Sequence, residues 1–293
     1  MKLSEAMREK MLLSFELFPP KTEKGMANLP GTIEHLMKYR PEYISCTYGA
    51  GGGNVGANRE VCQMIRNAGT VPVTHFTVIK NTKEGIRQQL ERYLSDGVDH
   101  MLALRGDIPL GETTTCGDFD YATDLVKFVR DTYGDKFEIA VAGSPEGHIS
   151  CRSLESDIAV LKQKQDNGAD YIMTQLCWDM EQFKYWLDAI RKAGVTMPVD
   201  VGVMPILDQA ATISMALSRN GCVMDSELCR LISRNWLFPN PFAAKDADGK
   251  PFDMFYDDKI KRFREAGIEY TIKQIDTYRS GGAGAQHVNK TES

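Results

Sequence analysis

Seven short runs of β-forming apolar residues recur along the chain, each followed by a helical pattern, and no other feature restricts the fold as tightly. The runs are MLLSFELF (11–18), EYISCTY (42–48), VPVTHFTV (71–78), VDHMLALR (98–105), KFEIAVAG (136–143), ADYIMTQL (169–176) and MPVDVGVM (197–204). Helical patterns lie at 31–39, 54–68, 82–96, 120–133, 153–167, 179–193 and 208–219. Strands covered on both faces read as continuous apolar runs, which points to a parallel sheet beneath helices. Several helical stretches close on a glycine just before the next strand, at Gly69, Gly97, Gly168 and Gly194. Glycine takes the left-handed conformation that ends a helix at little cost. Repeats in this order predict an α/β fold of the TIM (β/α)8 barrel type, with a doubly wound sheet as the competitor.

Eight repeats close such a barrel, and the eighth is irregular here. Residues 236–252 read as an irregular loop rich in Pro, Gly and Asp, and 253–279 as a long helix broken near Gly267. AQHV at 285–288 is the last candidate strand, which leaves 285–293 as a loose tail. The expectation is one catalytic barrel domain over 1–293 with an irregular or shortened eighth unit, and 293 residues suit it. A net charge of -5 offers no basic surface to nucleic acid or anionic membrane. The start of the chain has no signal-peptide pattern, and no apolar run reaches the roughly 18 residues of a membrane helix. Seven scattered cysteines without a C-x-x-C pair read as free thiols in a reducing cytosol, so the expected location is cytoplasmic.

Active sites of such barrels form at the C-terminal ends of the strands. Those ends carry Glu16, then Thr47 and Tyr48, then His75, then Arg105, Gly106 and Asp107, then Ser144, Glu146 and His148, then Gln175. Six consecutive strands delivering polar groups to one face is convergence that scattered surface polarity would not produce. Glu16 stands in an apolar run closed by Pro19 and Pro20, which fix the exit of the strand. Burial there would raise its pKa and suit it to donate a proton near neutrality. The plainer reading is a carboxylate paired with an arginine. Arg105-Gly106-Asp107 is either an ordinary charged loop or a place where bare backbone meets a ligand. Glu16, His75, Asp107 and His148 together could form a divalent metal site, but no H-x-H or H-E-x-x-H spacing supports one, and no metal is expected. Gly51, Gly53 and Gly56 spell a literal G-x-G-x-x-G. The next strand ends THFTVIKN without the acidic residue that a dinucleotide fingerprint places on the ribose, so the run reads as a βα loop.

The chain resembles the methylenetetrahydrofolate reductase family. The matching pieces are SFELFPPK (14–21), SCTYGAGG (45–52), HFT (75–77), ALRGD (103–107), SPEGH (144–148) and MTQ (173–175), with a looser match through GIEYTIKQIDTYRSGGAG (267–284). The resemblance implies an FAD-containing barrel that reduces 5,10-methylenetetrahydrofolate to 5-methyltetrahydrofolate in two alternating half-reactions, with NADH or NADPH as reductant. It implies that Glu16 is the acid for ring opening, that Asp107 stands beside flavin and pterin, and that Gln175 contacts the folate substrate. It places Thr47, Tyr48, Ala50, His75, Arg105, Gly106, Ala122, His148, Asp157 and Lys164 at flavin-contacting positions. Ser144 stands there too, where the family commonly has Tyr. Gln209 takes the place of a substrate-stacking Phe, and Lys290 is the candidate for holding the folate tail. The resemblance also implies a homo-oligomer and leaves room for an electron-transfer partner subunit. Two other readings stand beside the reductase: a flavin-binding partner subunit with weakened folate turnover, and a metal-dependent barrel aldolase or hydrolase.

Overall fold

The computed structural model describes residues 2–48, 55–108, 111–218, 222–235 and 256–281. The chain divides into two compact units. The first comprises Met1–Gly143, Ile158–Met173 and Ile190–Asp200, and the second Ser144–Asp157, Thr174–Ala189 and Val201–Ser293.

In chain order the elements are α1 (Leu3–Glu9), β1 (Ser14–Leu17), α2 (Glu23–Met37), β2 (Tyr43–Cys46), α3 (Val55–Asn67), β3 (Val71–Thr77), α4 (Lys83–Ser95), β4 (His100–Leu104), α5 (Ala122–Tyr133), β5 (Glu138–Gly143), α6 (Leu154–Asp166), β6 (Tyr171–Thr174), α7 (Met180–Lys192), β7 (Val199–Asp200), α8 (Gln209–Ala216), α9 (Ser226–Arg234) and α10 (Tyr256–Gly281). The strands form one sheet in the order β1-β2-β3-β4-β5-β6-β7. The pairings of β1 with β2, β2 with β3, β3 with β4, β4 with β5 and β6 with β7 are parallel.

This sheet is rolled. Seven strands laid flat would hold the first and last about 29 Å apart, at roughly 4.8 Å per spacing. Instead Ser14 of β1 donates its hydroxyl to Asp200 of β7 at 3.3 Å, and the Tyr43 phenol of β2 donates to the same carboxylate oxygen. Curling is what a β/α barrel requires and what a doubly wound sheet lacks, so the fold is of the (β/α)8 type with an irregular eighth unit. AQHV (285–288), the loop at 236–252 and the tail at 285–293 lie outside the described residues.

The inward face of the rolled sheet holds a core built from alternate strand positions. Tyr43, Val73, Leu102, Ala140, Tyr171 and Met173 pack there against Leu3 of α1, which is fully buried. Burying one leucine side chain stabilises by about 1.5–3 kcal/mol. Glu138 at the start of β5 fixes α1 in place. Its carboxylate accepts the Leu3 and Ser4 amides at 2.7 and 2.8 Å, together with the Ser4 hydroxyl. These are unpaired first-turn donors, and an anion at a helix N-terminus also meets the helix dipole favourably. His100 Nε2 lies 3.0 Å from the same carboxylate, and its Nδ1 lies 2.6 Å from Asp99. Burial opposes the charge on His100, but the two carboxylates win and push it up to about 9. Burial likewise opposes the Glu138 charge, and its hydrogen bonds to His100, Ser4 and Leu3 win, holding it near 2.

The strands fall inside the runs read from the sequence, whereas some helices differ. The helix read over 31–39 begins at Glu23, because Thr22 caps it by accepting the Gly25 amide, and it runs through Pro30. Leu29 and Ile33 are buried on one face and carry it past the proline. β7 is short because the chain leaves the ladder soon after Asp200: the Gly202 amide turns to the Thr174 hydroxyl at 3.0 Å. In the second unit Trp178, Ile206, Cys222, Leu228, Leu231, Ile232, Phe263 and Tyr270 form a separate apolar core. α10 is continuous where a break near Gly267 was expected. That glycine serves close packing: a Cβ there would sit 2.1 Å from the Ile206 carbonyl oxygen. Among the described residues no helix is long and apolar enough to cross a membrane.

Glu138→Gln should cost about 3–5 kcal/mol, the range for breaking a buried charge pair from one side, read as a shift in urea midpoint. The wild-type contribution of this cluster should be complete between the ordinary carboxylate and imidazole pKa values, where Glu138 is ionised and His100 charged. It should be lost as pH rises through about 9 and as it falls through about 2. Gly267→Ala should destabilise by about 1–3 kcal/mol through overpacking, with the change seen first in hydrogen exchange of α10.

Candidate active site

The inward positions turn polar toward the strand ends. Beyond Ser14 lies Glu16, beyond Tyr43 lies Ser45, and beyond Val73 lie His75 and Thr77. Residues two apart in a strand share a face, so these groups stack above the apolar core of the first unit. The parallel register sets Glu16 beside Ser45 and Val73 beside His100, so the polar positions climb the sheet in step.

Glu16 Oε2 lies 3.6 Å from His75 Nε2. Burial holds the His75 ring neutral by pushing its pKa down to about 4. The Glu16 side chain keeps an open edge, with 46% exposure against 9% for the imidazole. Burial, and then repulsion from Asp200, lifts its carboxyl above the ordinary range. A neutral imidazole does not draw the carboxylate into an ion pair, so it does not offset the upward shift at Glu16. His75 Nε2 and Thr77 Oγ1 are buried without a hydrogen-bond partner. Leaving such atoms unsatisfied costs about 1–3 kcal/mol each, a cost that a ligand's polar atoms would relieve.

The exit of β4 is tied to that of β3. Val78 and Ile79 donate their amides to Leu104 and Arg105 carbonyls at 3.2 and 3.1 Å. This sets Arg105, Gly106 and Asp107 alongside Thr77–Ile79. Gly106 has φ +87, and a Cβ there would meet Ile79 and Thr77 side-chain atoms at 3.0–3.2 Å. Glycine suits both the positive φ and the close packing of this turn on Ile79 and Thr77. Arg105 Nε donates to the Gly106 carbonyl at 3.3 Å.

Thr47 follows β2 and is held by its amide on the Leu17 carbonyl at 2.9 Å. Asn58 of α3 braces the same exit through the Cys46 and Thr47 carbonyls at 2.8 and 3.0 Å. Tyr48 is buried against Phe76 with ring centroids 5.5 Å apart, and its hydroxyl donates to Gln89. Ala122 opens α5. Lys164 of α6 donates its ammonium to the Ala142 carbonyl at 2.9 Å.

Other expected residues belong to the second unit. The Ser144 carbonyl accepts the Gly147 amide at 2.9 Å. Asp157 accepts the His148 amide at 3.3 Å and the Cys151 thiol at 3.5 Å. Glu146 accepts the Val223 amide at 2.8 Å. Gln175 follows β6 and is exposed. Gln209 is buried, and its amide nitrogen donates to the Ile232 and Asn235 carbonyls at 3.1 and 3.0 Å, which completes the end of α9. Ala50, Lys290, Gly51 and Gly53 lie outside the described residues. Among the described residues no three His, Cys, Asp or Glu side chains are grouped to hold a metal ion.

The structure therefore brings Glu16 and His75 together and sets Arg105, Gly106 and Asp107 beside Thr77. It also reveals Asp200, Ser14, Tyr43 and Thr77, which sequence reading passed over. A signal for Asp200 was present: an acid inside the apolar run MPVDVGVM, the same anomaly that marks Glu16.

A family model described as methylenetetrahydrofolate reductase matches residues 2–224. A methylenetetrahydrofolate reductase (NADH) 1 of Arabidopsis thaliana is 38% identical over 216 residues, which is 69% of this chain and 36% of that protein. Methylenetetrahydrofolate reductase 1 of Schizosaccharomyces pombe is 39% identical, covering 68% of this chain and 34% of the relative. The chain thus spans about a third of the length of these two relatives. The 5,10-methylenetetrahydrofolate reductase of Salmonella typhimurium is 31% identical over 76% of this chain and 78% of its own. Among solved structures, an uncharacterized protein from Clostridium thermocellum that binds two copies of 5-methyl-5,6,7,8-tetrahydrofolic acid superposes with a TM-score of 0.60. It covers 95% of this chain and 87% of that one at 13% identity, a likeness of fold alone.

The His75 environment gives a direct test. Its ring should stay neutral through the ordinary histidine range and titrate near 4, followed by the imidazole nitrogen shifts in NMR. Titration near 6.5 would show a ring that water reaches.

Proposed function

The chain belongs to the methylenetetrahydrofolate reductase family, and from that premise we propose that it reduces 5,10-methylenetetrahydrofolate to 5-methyltetrahydrofolate, using FAD and either NADH or NADPH. The observation that carries this reading is the Glu16–His75 pair: a carboxyl lifted above its usual range, 3.6 Å from an imidazole that burial keeps uncharged. Opening the imidazolidine ring of the substrate breaks a carbon–nitrogen bond and needs a proton on the leaving amine. Glu16 supplies that proton and is left as carboxylate, while the remaining nitrogen pushes its lone pair into an iminium cation. A general acid works best with its pKa moved toward the working pH, and burial and then repulsion from Asp200 move Glu16 in that direction.

The residues of the first unit fit a flat polar cofactor. His75 Nε2 and Thr77 Oγ1 are buried polar atoms without a protein partner, and the Gly106 turn packs on Thr77 and Ile79 beside them. We assign His75, Thr77, Arg105 and Gly106 to holding it, with Thr47 at the neighbouring strand exit. When bound, the flavin passes the hydride from the nicotinamide to the folate. Asp107, one residue beyond Gly106, brings a carboxylate to the same exit, where negative charge favours the iminium cation over the closed ring.

Glu16→Gln separates the two half-reactions. Reduction by NADH or NADPH should proceed at near wild-type rate, because no proton is delivered to an amine there. Oxidation by methylenetetrahydrofolate should slow by about 10²–10⁴, the usual contribution of a general acid, in anaerobic stopped-flow followed at the flavin absorbance. In the wild type the folate step should slow as pH rises through the raised Glu16 pKa. Equal loss of both half-reactions in Glu16→Gln would remove Glu16 from the acid role.

A further inference from the structure

The second carboxylate at this site has no role in the scheme above. Asp200 Oδ2 accepts the Ser14 hydroxyl at 3.3 Å and the Tyr43 phenol. Ser14 and Tyr43 are register partners on β1 and β2. Glu16 stands two residues beyond Ser14 on the same strand, hence on the same face, about 6.6 Å further along. Two hydroxyl donors thus hold one carboxylate on the face that also carries Glu16, whose carboxyl lies 3.6 Å from the His75 ring.

We propose that Asp200 is a positioning residue for the acid: fixed as the charged member of the pair by Ser14 and Tyr43, it helps Glu16 hold its proton to higher pH and so moves the pH above which ring opening fails. The inference rests on Glu16 being that acid. Two carboxyls that repel each other do not both ionise cheaply, and the one that accepts hydrogen bonds keeps the charge. The other titratable groups around the pair do not supply it. Burial keeps His75 of β3 neutral, and hydrogen bonding to Cys62 together with burial pushes the Cys46 thiol of β2 far up. Tyr43 of β2 and Tyr171 of β6 are both raised by burial and stay protonated. Glu138 and Asp170 act on Tyr171. Repulsion from Asp200 is the second cause, after burial, of the rise at Glu16.

The test uses the whole chain carrying its flavin. The Glu16 side-chain carboxyl is followed by carbon NMR across pH, assigned by its loss in Glu16→Gln, in wild type and in Asp200→Asn. The folate and nicotinamide half-reactions are timed over the same range. Asp200→Asn should move the Glu16 titration to lower pH. It should carry the alkaline limb of the folate half-reaction with it, so that the rate at a fixed pH on that limb falls several-fold. The nicotinamide half-reaction should keep its profile. An unmoved Glu16 titration in folded Asp200→Asn overturns the proposal. A titration that moves while the folate limb stays supports the coupling of the two carboxyls and overturns Glu16 as the acid. If Asp200→Asn does not fold, Tyr43→Phe decides: losing one donor should shift Glu16 the same way by less, and no shift overturns the proposal.

Discussion

A carboxylate at the end of the seventh strand accepts hydroxyl donors from the first two, and the functional reading of this chain depends on that closure. Parallel strands joined by helices can lie open or curl, and their sequences look alike in either case. Only when β7 meets β1 and β2 do the inward side chains share one interior, with Tyr43, Val73, Leu102, Ala140, Tyr171 and Met173 packed around Leu3. The buried anion is costly to desolvate, and the two hydroxyls that offset that cost come from the strands that must be joined.

Along the strands the interior changes from apolar to polar, and that gradient organises the electrostatics. At one end Glu138 accepts the first-turn donors of α1 and lies 3.0 Å from His100 Nε2, and the neighbouring charges and hydrogen bonds keep both groups ionised. At the other end His75 and Thr77 are buried without partners, and Glu16 lies next to a ring that carries no charge. A buried polar group that is fully paired stabilises the native state, whereas one left unpaired persists only where something else compensates, such as a ligand.

Much of this was legible in the sequence, residue by residue. Glu16 stood out as an acid in an apolar strand ahead of two prolines; the structure sets it 3.6 Å from His75 with 46% of its side chain exposed, more open than an apolar run suggests. Gly106 was read either as part of a charged loop or as a point where backbone meets a ligand, and the structure shows a positive φ with Ile79 and Thr77 packed where a Cβ would stand. Gly267 was misread as a helix break, because a glycine in a helical pattern signals either flexibility or close approach, and the Ile206 backbone it meets is far away in sequence. Gln209 shows the same ambiguity: a side-chain amide reads equally as substrate contact or helix cap, and here its donors go to the end of α9.

The sequence by itself determined the β/α alternation, the strand positions and the family, because these follow from local periodicity and from motifs contiguous along the chain. The tertiary structure alone decided that the sheet curls, that Asp200 of β7 meets Ser14 and Tyr43, and that His75 loses its charge. Those depend on burial and on contacts between residues up to 186 positions apart, and desolvation is a property of the surroundings of a group, which no local pattern records.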